Sequence, residues 1–234
     1  MKLTNYKPYA DGYNSILTKG QCGSHFAFGI MCISGGEVAR CELDQERAFV
    51  LLSGKAVFEW SCGSVQAARS VWRDDTPSLL CVGRREKVSI KAISDHVDIA
   101  VISANVKGEF SPPFLLPESI GEDVVYYDKK SDKAIGKARY LLSEKNCPSS
   151  TFLIREEIID GGYWGNYLAN QAATGGQLGF FRFYPNNGFG IMRVDTSAFV
   201  IEQDTAILLP PLATCQNVSA PGYLQYGLWV GTRQ

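Results

Sequence analysis

Histidine is scarce in this sequence: two among 234 residues, His25 and His96. No His-x-His pair exists, so the three-imidazole set of many catalytic zinc sites cannot form within one chain. Charge of one sign is lacking as well. Twenty-three Lys and Arg face 24 Asp and Glu, a net charge of −1. That excludes the cationic field needed for general nucleic-acid binding or a polybasic membrane surface. No apolar run approaches the roughly 18 residues of a membrane span, and the polar start has no apolar signal core. The seven cysteines include no Cys-x-x-Cys, which excludes a zinc ribbon, and their odd number argues against a disulfide framework. Reduced thiols in a cytoplasmic protein are the expectation. Helical periodicity is also thin. Residues 131–145 alone have helix-forming composition, and Gly136 interrupts them.

What the sequence does have is strand pattern. It is 45% hydrophobic, with 12 Phe, 11 Tyr and 4 Trp. Short apolar segments alternate with Gly, Pro and Asn signals, which predicts an all-β sandwich or barrel. Residues 48–52 and 56–60 flank Ser53-Gly54-Lys55 and predict one hairpin. Residues 179–184 and 189–194 flank Pro185-Asn-Asn-Gly188 and predict a second. A weak repeat accompanies them. Asp75-Thr76-Pro-Ser-Leu79-Leu80 returns 129 positions later as Asp204-Thr205-Ala-Ile-Leu208-Leu209. Val88-Ser89 returns 130 positions later as Val218-Ser219. Between the copies, the prolines of residues 111–118 read as a linker. Two β-barrel halves follow, residues 1–110 and residues 111–234 including the linker.

The second half resembles a known family. The segments are Asp160-Gly-Gly-Tyr-Trp164, then Phe180-Phe-Arg182-Phe-Tyr-Pro185-Asn-Asn-Gly188-Phe189-Gly-Ile-Met-Arg193-Val194, then Pro221-Gly222-Tyr223-Leu-Gln-Tyr226-Gly-Leu-Trp-Val230. They are similar to the 5-deoxy-glucuronate isomerases of inositol catabolism, sisters of the uronate ketol-isomerases. Arg47 to Lys55 adds a fainter match, and the likeness runs from about Gly29 to the end. The resemblance implies a bicupin, two tandem jelly-roll (cupin) barrels, with the active barrel C-terminal. It also implies an aldose–ketose isomerisation, in which a divalent metal polarises the carbonyl and stabilises an enediolate.

The implied metal positions are substituted here. The family's His-x-His pair falls on Asn170 and Ala172, its Glu on Gln177, and its last His on Thr214 or Cys215, depending on one inserted residue. Transition metals prefer imidazole, thiolate or carboxylate. Asn and Gln are weak neutral donors, Ala offers none, and a single thiol makes no tight site. The expectation is no metal and no other cofactor.

Arg182, Arg193, Glu156, Tyr226, Gln177 and Asn170 remain as candidate pocket residues. Arg can fork a carboxylate, so a sugar acid or similar small anion is the expected partner. Each Arg faces the interior only if strand parity places it there. Two inward arginines, one neutralised by Glu156, would favour a bound anion. Trp164 reads as core. Cys215 lacks an adjacent base and reads as a small buried residue, not a nucleophile. The two histidines read as ordinary surface or hydrogen-bonded side chains. Glu156 and Glu157 are adjacent on a strand and so cannot share one face. Three functions remain. One is a binding or regulatory bicupin that has lost metal catalysis. Another is a metal-free isomerase using Glu156 or Tyr226 as proton relay, with Arg182 and Arg193 holding the enediolate. The third is a structural homo-oligomer.

Overall fold

Strands make up almost all regular structure in the computed structural model, which describes residues 2–3, 8–105, 114–115, 120, 123–165, 176–211 and 213–233. The sole helical turn among them is a 3-10 turn at Gln21–Gly23. The first ten strands are β1 (Lys2–Leu3), β2 (Gly12–Leu17), β3 (Phe26–Ser34), β4 (Val38–Cys41), β5 (Glu46–Trp60), β6 (Gly63–Arg69), β7 (Leu79–Val82), β8 (Val88–Ala92), β9 (His96–Ala104) and β10 (Phe114–Leu115). Nine follow: β11 (Val124–Tyr127), β12 (Ala134–Leu142), β13 (Phe152–Ile159), β14 (Gln177–Tyr184), β15 (Phe189–Val194), β16 (Ser197–Glu202), β17 (Thr205–Leu209), β18 (Cys215–Ser219) and β19 (Leu224–Thr232).

The strands form two compact units. One comprises Pro8–Ile120 and Ser143–Thr151, the other Met1–Lys7, Gly121–Leu142 and Phe152–Gln234. The expected boundary at residue 110 and most of the proline-rich crossing lie outside the described residues. Each unit is a curled, antiparallel jelly-roll barrel. In the first, the order is β10-β7-β5-β9-β3-β2, with β6 and β8 paired to the later part of β5 and β4 paired to β8. In the second, β1-β17-β14-β19-β13-β12-β11 forms one sheet and β16-β15-β18 another. The order β7-β5-β9-β3-β2 thus recurs as β17-β14-β19-β13-β12. The repeated Asp-Thr-x-x-Leu-Leu segments lead into, or lie on, the equivalent strands β7 and β17.

Three local expectations need correction. Residues 48–60 form no hairpin, because β5 runs unbroken through Gly54. Gly54 has φ +91, and a Cβ there would collide with the His96 carbonyl. Glycine lets the strand bend from its partners β7 and β9 to β6 and β8 without reversing. The second hairpin is also absent. Strand β14 pairs with β17 and β19, while β15 pairs with β16 and β18, so Pro185 to Gly188 carries the chain between sheets. Finally, residues 134–142 are strand β12, not helix. Pairing with β11 and β13 overrides a weak local preference.

Each barrel has its own apolar filling. Phe49, Leu51, Phe58, Ile90 and Ile99 belong to the core of the first. Phe181, Phe183, Met192, Ile207, Leu209 and Trp229 belong to that of the second. The first unit also buries Glu46 completely. The Ser150 hydroxyl and the Thr151 N–H and hydroxyl donate to its carboxylate, which satisfies the charge and fastens the returning segment to this unit. Among the described residues no helix is long and apolar enough to cross a membrane.

Candidate functional site

Strand register decides which side chains line the second barrel. Strand β13 is buried along its whole length, so burial alone does not distinguish its faces. Its pairing with β19 does. Arg155 lies opposite Trp229 and Glu157 opposite Gly227, and Trp229 belongs to the interior core. Arg155 and Glu157 therefore point inward, while Ile154, Glu156 and Ile158 point the other way. By the same parity Gln177, Phe181 and Phe183 point inward from β14, and Cys215 and Asn217 from β18. Gly179 lies opposite Trp229. A Cβ there would come within 2.8 Å of Trp229 and 3.0 Å of Phe181, so glycine makes room for both rings. The rings meet edge to face at 5.5 Å and 88°. The Arg155 guanidinium lies 5.9 Å from the Trp229 ring centre.

The resulting polar group is buried and mixed in charge. Glu157 is 1% exposed. Burial raises its pKa, while the Arg155 charge and donors from Tyr126, Trp229 and Asn217 oppose the rise. The Tyr126 hydroxyl donates to Glu157 Oε1 at 3.2 Å. Burial and the Glu157 charge raise the Tyr126 pKa, so the phenol stays neutral and remains a donor. Burial, then Glu157, pushes the Cys215 thiol up to about 12. Arg155 thus places a positive charge beside a carboxyl whose pKa burial raises.

The sequence candidates divide into separate groups. Arg182 does not enter the interior. It shares the opposite face of the sheet with Tyr226, its cross-strand neighbour, and its Nε donates to Asp204 Oδ1 at 2.7 Å. Glu156 also lies on that face, 3.3 Å from Arg139, and Tyr226 is fully buried there. Arg193 is exposed on β15, and its Nε donates to the Asp195 carbonyl. The condition of two inward arginines is therefore not met. Even-numbered positions of β14 face away from the core, and Arg193 lies beyond the sheet change at Pro185. Gln177 and Cys215 do face the interior, whereas Thr214 is exposed and donates its N–H and hydroxyl to Asp195. Asn170 and Ala172 lie outside the described residues. Trp164 is 54% exposed, contrary to the expected core position.

These residues do not fit a tightly held divalent metal at the positions that the family resemblance implies. Gln177 is a neutral amide, Thr214 is engaged by Asp195, and Cys215 keeps its proton far above neutrality. The sequence reading missed Arg155, Glu157, Tyr126 and Asn217. Adjacent Glu156 and Glu157 gave no local basis for choosing between them. Only their register with Trp229 and Gly227 picks out Glu157.

Comparisons with known proteins agree with this architecture. The model of the KduI/IolB family matches residues 10–232. An IolB-like protein from Salmonella typhimurium LT2 superposes with a TM-score of 0.85 at 16% identity, covering 99% of this chain and 92% of that one. Bacillus subtilis oxalate decarboxylase, studied for its Mn(II) centres, gives 0.66 at 10% identity over 96% and 74%. A cupin 2 conserved barrel domain protein from Leptotrichia buccalis gives 0.55 at 14% identity over 98% and 92%. No curated protein sequence matches the chain.

Proposed function

The chain belongs to the KduI/IolB family, and on that footing we propose that its second barrel binds a small sugar acid without the metal the family resemblance implies. The observation that carries this reading is the inward Arg155–Glu157 pair with Tyr126 at its edge. The Arg155 guanidinium is suited to a ligand carboxylate, and burial, which raises the Glu157 pKa, disfavours a competing anion beside it. Tyr126 and the Asn217 amide are donors and acceptors for hydroxyl groups, and Gln177 completes the polar lining in this proposal. Trp229 supplies an apolar face for sugar C–H groups. A cytoplasmic setting accords with seven free cysteines.

Thermal melting with glucuronate or glucose, in the presence of chelator, tests the reading. A site filled to 100 times its dissociation constant adds about 2.7 kcal/mol. Glucuronate should raise the melting temperature well above glucose, and Arg155→Met should remove the difference. Equal responses to the two sugars, or none, would overturn the proposal.

One observation favours residual catalysis within the same site. A buried carboxyl with a raised pKa is suited to carry a proton between adjacent carbons. Glu157 would take the proton from one carbon and return it to the next, with Arg155 and Tyr126 facing the developing oxyanion. Solvent deuterium entering the uronate beside its carbonyl, and lost in Glu157→Gln while binding persists, would support this. Absence of exchange in the unaltered protein would refute it.

A further inference from the structure

The first barrel brings together three side chains that are far apart in sequence. His96 and Asp98 lie two apart on β9 and share a face, and Cys32 on β3 sits directly opposite Asp98. The Asp98 carboxylate is their meeting point. Its Oδ1 lies 2.8 Å from His96 Nε2 and 3.2 Å from Cys32 Sγ. All three ligand atoms fall within 4.8 Å of one another. Their face is the outward one, since the neighbouring residues Met31, Ile33, Val97 and Ile99 supply the barrel core.

We propose that Cys32, His96 and Asp98 form a binding site for one divalent transition-metal ion of the zinc type. A thiol, an imidazole and a carboxylate suit zinc and cobalt, whereas magnesium and calcium favour oxygen alone. Zinc–ligand bonds of about 2.0–2.3 Å place tetrahedral ligand atoms roughly 3.3–3.7 Å apart, so modest opening of this trio admits the ion. The His96 side chain is 55% exposed and free to make that adjustment, whereas that of Asp98 is 13% exposed and held in place. A cleft lies on the Cys32 side of the trio. Gly12 on β2 lies opposite Cys32, and a Cβ there would meet nothing within 4 Å. Cys32 consequently lines a cleft of about 460 Å³ shared with Asp11, Ser34 and Glu37. Asp11 and Glu37 add negative potential at its rim. On binding, the Cys32 thiol proton passes to solvent and a sulfur–metal bond forms; the fourth position is left to water.

The purified chain, reduced and stripped with chelator, is titrated with cobalt(II) alone and then with zinc(II) in competition. The expected result is about one cobalt per chain, with the charge-transfer band of a thiolate ligand and the intense visible bands of four-coordinate cobalt. Zinc should displace it. Cys32→Ser should remove the thiolate band. His96→Ala, at an exposed position that leaves the fold intact, should weaken binding by more than the roughly 10–100-fold typical of an outer-shell partner. Cys215→Ser should change nothing, which separates this site from the second barrel. A thiolate band that survives Cys32→Ser, affinity undiminished in His96→Ala, or binding lost in Cys215→Ser would overturn the assignment.

Discussion

Replacing Arg182 by Met tests whether this side chain holds the fold or holds a ligand. Its side chain and that of Asp204 are 5% and 9% exposed, and they meet at 2.7 Å. Arg182 also packs its guanidinium 5.6 Å from the Phe180 ring centre. Met fills similar volume but leaves Asp204 as a buried charge without its cation. Breaking such a pair costs about 3–5 kcal/mol, much more than an exposed pair would. At about 1.4 kcal/mol per decade, native-state hydrogen exchange of peptides covering β14 and β17 should accelerate by roughly two to four decades. That readout isolates the second unit from the first. Adding Asp204→Asn should recover most of the loss, because the orphaned charge disappears. Asn also suits the φ of +60 at this position. If Arg182→Met costs less than about 0.5 kcal/mol, or Asp204→Asn fails to rescue it, the buried-pair reasoning is wrong.

Three further outcomes are expected. Arg193→Ala should change stability by less than about 0.5 kcal/mol and leave the glucuronate response intact; loss of that response would return Arg193 to the binding site. Glu157 holds its proton in the fold above its ordinary value of 4.5, so the folded chain binds more protons than the unfolded one there. Its stabilising contribution is present at lower pH and is lost as pH rises through the folded value. Between about pH 4 and pH 7, Glu157→Gln should therefore remove a declining component of stability, read as urea midpoints; parallel profiles would refute this. Near neutral pH a thiol reagent should modify the exposed Cys22 and Cys62 and spare Cys215, whose thiol is pushed up to about 12. Rapid labelling of Cys215, located by peptide mapping, would contradict its burial.

Fold class was legible because turn residues and apolar runs recur at strand spacing, and because Asp75 to Leu80 and Asp204 to Leu209 mark equivalent positions. Turn direction was not. Gly54 and Pro185 to Gly188 carry the usual hairpin residues, but in both places the chain continues onto other partners. A local motif states that the backbone bends, not what the next strand pairs with. The candidate pocket was legible only in part for a related reason. Strands β13 and β14 are buried on both faces, so polar and apolar residues do not alternate, and nothing local singles out Arg155 over Arg182. The outward trio was hidden too. Nothing in the sequence around His96 points to Cys32, which is brought in by the pairing of β3 with β9.

The returning segment Ser143–Thr151 has a consequence for how the chain is made. The buried carboxylate of Glu46 takes hydrogen bonds from Ser150 and Thr151, residues 104 and 105 positions later. During synthesis at about 5–20 residues per second, the first barrel waits several seconds after Glu46 emerges before those donors exist. Strand β1 waits longer still, since its partner β17 begins at Thr205. The buried Glu46 carboxylate lacks the Ser150 and Thr151 donors while only the first half of the polypeptide has left the ribosome. A nascent chain halted near residue 120 should therefore remain open to protease around Glu46.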